Sequence, residues 1–173
     1  MSTAYQNALA ASRFLVRLAR VFNLATGVLI FAAIPASFIF EPLFVKFFTT
    51  HPESANPAAL MMVLRAWLFL ALLMTGAVHI MFTRLLEMIA TVRAGDPFVP
   101  QNAERLKAMA WALLAVQVLG LSFGVMAGLM NASGSSIDWD FSLTGWIAVA
   151  LLFVLAGVFE EGARMREDAE AMI

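Results

Sequence analysis

The chain has 173 residues, 62% of them hydrophobic and 13% charged, with a formal net charge of −1. A soluble domain carries about 25% charged residues, so this mix and a mean hydropathy of +0.85 exclude that class. Cysteine is absent, which excludes disulfides, thiolate metal sites and thiol redox chemistry.

Four stretches carry no Asp, Glu, Lys or Arg: 21–40, 66–83, 108–137 and 141–159. About 20 residues at about 1.5 Å rise cross a hydrocarbon core of about 30 Å. The expected fold is therefore an all-α, integral membrane four-helix bundle occupying 1–173 as one domain, the third crossing spanning 108–130.

In chain order, the head places Arg13, Arg17 and Arg20 on one helical face and predicts a short helix lying at the membrane surface. The apolar run behind it is longer than the roughly 7 to 15 residues of a secretory core, which argues for a retained first span. Pro35 is expected to kink that span near its outer end. Phe44, Phe47 and Phe48 then predict a partly buried interfacial segment, and 51–57 an exposed turn. Arg65, beside Trp67, is expected to snorkel to the headgroups.

Beyond Thr83 the apolar pattern continues through Leu85, Leu86, Ile89 and Val92. The second helix should thus project about two to three turns out of the lipid. Gly95-Asp96-Pro97 stops it, and Pro100 or Asn102 restarts the third, making a protruding hairpin over 84–107. Gly120, Gly124 and Gly128 fall on one face of the third helix and suit close packing, within the chain or against a second copy in a homo-oligomer. After a Gly/Ser-rich loop, Trp139, Phe141 and Trp146 read as an aromatic belt. The tail after Phe159 alternates charge at helical spacing and should extend the fourth helix.

Arg13, Arg17, Arg20, Arg84, Arg93, Arg105, Lys107, Arg164 and Arg166 are nine of the eleven basic residues, and threading the runs up and down puts them all at one end. Lys46 and Arg65 are at the other. Loops rich in Lys and Arg stay cytoplasmic, which places both termini and the hairpin on the cytoplasmic face of the membrane.

Burying an ionisable group in lipid is costly enough to point to function, and His79 is the sole candidate within the runs. A bis-histidine haem carrier needs a second intramembrane histidine, and a proton-coupled exporter a carboxylate deep in a helix. Neither occurs in these runs, and no catalytic residue, metal site or cofactor is expected. Asn23, Thr75, His79 and Gln117 could line a small intramembrane polar pocket.

The segment from Gly95 to Leu106 (Gly-Asp-Pro-Phe-Val-Pro-Gln-Asn-Ala-Glu-Arg-Leu) and the Phe159-Glu160-Glu161-Gly162-Ala163-Arg164-Met165-Arg166 core resemble an uncharacterised bacterial family of four-helix membrane proteins, the domain-of-unknown-function family DUF2975. The likeness runs from about Leu64 to Asp168. Members are often encoded beside a small helix-turn-helix protein, so the resemblance implies membrane control of a transcription regulator and no catalytic residue. The expected function is a non-enzymatic regulatory or scaffold protein that binds the bilayer and a small cytoplasmic DNA-binding regulator, without touching nucleic acid itself. Arg93, Asp96, Phe98, Asn102, Arg105, Glu161 and Arg164 are the expected contact surface. The alternative is a small transporter or lipid-binding protein.

The sidedness is open to a direct test. Membrane-impermeant labelling from outside the cell should reach Glu53 and Ser135 and spare Ser2, Asp96 and Glu170; the reverse pattern would invert the topology.

Overall fold

The computed structural model describes residues 3–48, 57–132 and 138–171. They form five helices: α1 (Thr3–Ile39), α2 (Glu41–Phe48), α3 (Pro57–Arg93), α4 (Pro100–Ala132) and α5 (Leu143–Ala171). All but α2 are long and apolar enough to cross a membrane. The protein is a multi-pass membrane protein with an all-α bundle, as its composition requires. Of the turn expected over 51–57, residues 51–56 lie outside the described residues, as does the centre of the Gly/Ser-rich loop, 133–137, while Pro57 opens α3.

The head forms no separate surface helix. Nothing between Arg17 and Thr26 breaks a helix, neither Gly nor Pro, so residues 3–20 run unbroken into the first span. At about 1.5 Å per residue a rod of this length far exceeds the lipid core, and its basic start projects along the same axis. The helix passes through Pro35 and ends at Ile39. Pro42, lacking an N–H, cannot donate to the Phe38 carbonyl, which ends α1 and opens α2.

That junction is where Arg65 goes, instead of snorkelling outward. Its guanidinium donates to the Ser37 carbonyl at 3.1 Å and to Glu41 at 2.8 Å, and stacks 3.9 Å over the Phe38 ring. The C-terminal end of a helix carries partial negative charge and unpaired carbonyls, and Glu41 adds a carboxylate, so this site outbids open headgroups for the cation. Ser37 is fully buried beneath it, its hydroxyl donating to the Ile34 carbonyl at 2.6 Å.

Packing follows the chain in order. Among the described residues α1 packs on α3, α3 on α4 and α4 on α5, while α1 makes no close backbone approach to α4 or α5. The bundle is thus an open row with α4 at its centre of burial. Ala103, Leu106, Met109, Ala110 and Ala112 on α4 and Val149, Ala156 and Ala163 on α5 are buried. Most are small, which lets backbones approach where lipid offers no hydrophobic incentive. Aromatic pairs tie the same neighbours: Trp67 stacks on Phe123 at 4.5 Å, and Trp111 meets Phe153 edge-on at 5.4 Å.

The hairpin between α3 and α4 is built by its turn chemistry. Gly95 adopts φ 87°, its N–H donates to the Val92 carbonyl at 3.1 Å, and the Asp96 N–H donates to the Thr91 carbonyl at 3.1 Å. These are the paired bonds of a Schellman cap, which places a left-handed residue, usually glycine, just past the helix. Pro100, with no N–H to leave unpaired, opens α4, and the Asn102 N–H bonds back to the Val99 carbonyl at 2.9 Å.

Candidate functional site

At the basic end the helices rise out of the apolar layer and lock together through side chains. Asn102 is the hub. It is fully buried, and its amide nitrogen donates to Thr91 Oγ1 at 2.7 Å and to the Pro97 carbonyl at 2.8 Å, while its oxygen accepts from Arg105 Nη1 at 2.8 Å. The Thr91 hydroxyl in turn donates to the Met88 carbonyl at 2.8 Å. Arg105 also bonds Glu87 through Nε at 3.0 Å, and Arg84 reaches the same carboxylate oxygen at 3.0 Å. Partial burial pushes the Glu87 carboxyl up, but hydrogen bonds and charge from Arg84 and Arg105 outweigh it and hold it below the usual value.

A second set of contacts fastens α5 to this hairpin. Lys107 bonds Glu160 at 2.9 Å, with Glu104 at 3.5 Å. The bond to Glu160 raises the Lys107 ammonium above its ordinary range against the opposing effect of partial burial. Arg166 pairs with Asp96 across the hairpin and with Glu170 at 2.8 Å. The Phe98 ring lies 5.3 Å from that of Phe159 and directly over Gly162, where an added Cβ would sit 2.9 Å from the ring. Gly162 is therefore the seat that lets the loop close on α5. Between α4 and α5 lies a cleft of about 460 Å³, lined by Gln101, Glu104, Glu160, Arg164 and Glu167 among others.

Of the seven contact residues expected from sequence, Arg93, Phe98, Glu161 and Arg164 are exposed. Asp96 is half-buried in its ion pair, and Arg105 is half-buried in the hub. Asn102 is a correction: wholly buried, it presents nothing to a partner and instead holds the surface in shape. Glu87, Thr91, Lys107, Glu160 and Arg166 were not expected to matter. The sole sequence sign of the first was its i, i+3 spacing from Arg84.

Within the apolar layer the expected polar group divides. Asn23, Thr75 and His79 line one groove between α1 and α3, where Asn23 Nδ2 donates to the Thr75 carbonyl at 3.1 Å. Gln117 lies elsewhere, its side chain laid over Gly145 of α5. The glycine row likewise divides: Gly124 receives the Trp139 ring, which a Cβ would meet at 2.5 Å, whereas a Cβ at Gly120 or Gly128 meets nothing within 4 Å. Among the described residues no helix backbone of the chain uses that row as a track.

Residues 43–173 match the family described as protein of unknown function DUF2975, and the chain belongs to that family. The match begins within α2, well before Leu64, and leaves α1 outside. No curated protein and no solved structure matches the chain significantly.

Two outcomes follow from the hub. Asn102→Ala leaves the part-buried Pro97 carbonyl and Thr91 hydroxyl without their donor, and should destabilise the hairpin by about 1–3 kcal/mol, seen as a lower melting temperature in detergent and faster proteolysis at 94–99. Because the Glu87 pKa is lowered on folding, its contribution is present above the ordinary value of 4.5 and is lost as pH falls through the folded value beneath it. Melting temperature should therefore drop on acidification below about pH 4.5, and Glu87→Gln should flatten that part of the profile.

Proposed function

We propose that the protein is a non-enzymatic regulatory or scaffold protein of the bacterial inner membrane whose cytoplasmic face holds a small DNA-binding regulator of the helix-turn-helix kind. The observation that carries this reading is the locked platform at the basic end, with α3, α4 and α5 cross-tied through Asn102, Lys107 and Arg166. A surface fixed before binding loses little conformational freedom on docking.

What it offers is specific. Phe98, 43% exposed, stands as an aromatic anchor among charges, the composition of a binding hot spot. Beside it the α4/α5 cleft is lined by Glu104, Glu160 and Glu167 and by Arg164, and although Lys107 bonds Glu160 and lies near Glu104, three carboxylates against two cations leave it acidic. A DNA-binding protein displays a basic face for phosphates, and an acidic cleft is complementary to that face. A regulator held there would have that face covered and be kept from DNA, which gives the membrane protein a means of control. The basic bias that sets the platform on the cytoplasmic side puts it in the compartment where such a regulator works.

A photo-crosslinking residue at Gln101, on the cleft wall, should capture a small basic DNA-binding protein in native membranes. Charge reversal by Glu104→Arg together with Glu167→Arg should abolish the adduct while membrane insertion persists. Absence of such an adduct, or one indifferent to the reversal, would overturn the proposal.

A further inference from the structure

The groove between α1 and α3 lies apart from the platform and has its own chemistry. It is open along one side and has a volume of about 440 Å³, the size of a small-molecule site. Leu24, Val28, Phe31 and Leu72 make its walls apolar, and Asn23 and His79 stand at one end. That polar end is nearest the basic boundary: Asn23 is three residues past Arg20, and His79 five before Arg84. At about 1.5 Å per residue the imidazole lies about 7 to 8 Å inside the charged edge, while Phe31 and Leu72 lie about 10 Å deeper still. The groove thus has the polarity of one leaflet, with a polar mouth near the interface and an apolar channel into the core.

Polar groups in lipid need partners, since no water replaces them. Thr75 has one, donating to the Ala71 carbonyl at 2.8 Å, and Asn23 has the Thr75 carbonyl. His79 has none. Its Nδ1 is sealed from solvent without a partner, and no hydrogen bond to its ring occurs among the described residues. An imidazole carries one donor and one acceptor nitrogen; with Nδ1 sealed, Nε2 is the nitrogen able to meet something in the groove. The floor is open as well, because a Cβ added at Gly76 meets nothing within 4 Å.

We propose that this groove binds an uncharged amphiphile drawn from the bilayer, an apolar chain or isoprenoid body bearing a carbonyl oxygen that accepts from His79 Nε2. A neutral head suits the ring, which sits below the charged edge where a charge is costly; Arg84, the nearest cation on α3, is bonded to Glu87 at 3.0 Å, and Arg20 on α1 stands at the edge itself, where charged headgroups lie. The carbonyl could come from a quinone or from a glyceride ester, which share this chemistry. The inference is independent of the platform and survives its failure.

The test uses the full-length protein in nanodiscs with three diazirine probes: a quinone analogue, a diacylglycerol and a headless alkane. A carbonyl-headed probe should label 23–31 and 72–79 about five- to tenfold above the alkane, the worth of one hydrogen bond, and whichever headed probe prevails identifies the source. His79→Phe keeps the ring volume and should remove that advantage while leaving alkane labelling unchanged. Gly76→Leu, whose Cβ would meet nothing within 4 Å, should suppress labelling by every probe. Labelling by the alkane equal to that by both headed probes, or indifferent to His79→Phe in a folded protein, would show the groove to be filled by ordinary lipid tails and overturn the proposal. A crosslink between two copies through these segments would overturn it too, by showing that a second chain covers the groove.

Discussion

Lipid supplies no hydrogen bonds, and that constraint orders almost every polar atom in this protein. The hydroxyls within the spans turn back onto their own helices: Thr26 donates to the Phe22 carbonyl at 3.0 Å, Thr75 to that of Ala71 at 2.8 Å and Thr83 to that of His79 at 2.8 Å. Asn23, too large to be satisfied that way, reaches across to α3. At the α1/α2 junction the orphan carbonyl of Ser37 takes Arg65. Against this background of local satisfaction three sealed side-chain nitrogens among the described residues have no partner, Arg65 Nε, Trp67 Nε1 and His79 Nδ1, and of these His79 is the one that lines the groove between α1 and α3.

The open row gives the same constraint a mechanical side. Exposed ion pairs are each worth at most about 1 kcal/mol, so Lys107 with Glu160 or Arg166 with Asp96 cannot by themselves hold α5. They act on top of the buried alanines of α4 and α5 and the seat of Phe98 on Gly162. The result is a unit of α3, α4 and α5, tied across its basic end, to which α1 is attached along α3 alone. The family match covers that unit, begins within α2 and omits α1.

How much of this could be read from residues varies with the range of the interaction responsible. Spans were legible because charge is excluded from the lipid core, a property of each residue by itself. The hairpin stop was legible because Gly95 and Pro97 act on their own backbone. The roles of Arg65 and Asn102 were not. One depends on a helix end 28 positions away and the other on Thr91 and Pro97 folding back around it, and sequence spacing carries no trace of either. The same limit separated Gln117 from the other pocket residues: all lie at plausible depths, but an open row sends α4 away from the α1/α3 groove. The flat head helix was misjudged for a different reason, since a basic face fits equally a helix lying on the surface and one that continues a span. Only the lack of a breaker before Phe22 distinguishes them.

Stiffness in the row is consequently graded, and the two proposed sites lie at its opposite extremes. The platform sits where three helices are bonded to one another, so its geometry is set by Asn102 and persists whatever happens in the lipid. The groove sits between α3 and α1, an end helix that no side-chain bond ties to α4 or α5 among the described residues. Strain introduced by an occupant therefore falls on α1, because moving α3 would break the bonds of Glu87 and Thr91 to α4, whereas moving α1 breaks chiefly Asn23 to Thr75 and the Arg65 cap. A site that must admit and release a molecule sideways from the bilayer needs one yielding wall, and a site that presents a surface to a partner needs none. The order of packing along the chain provides one of each.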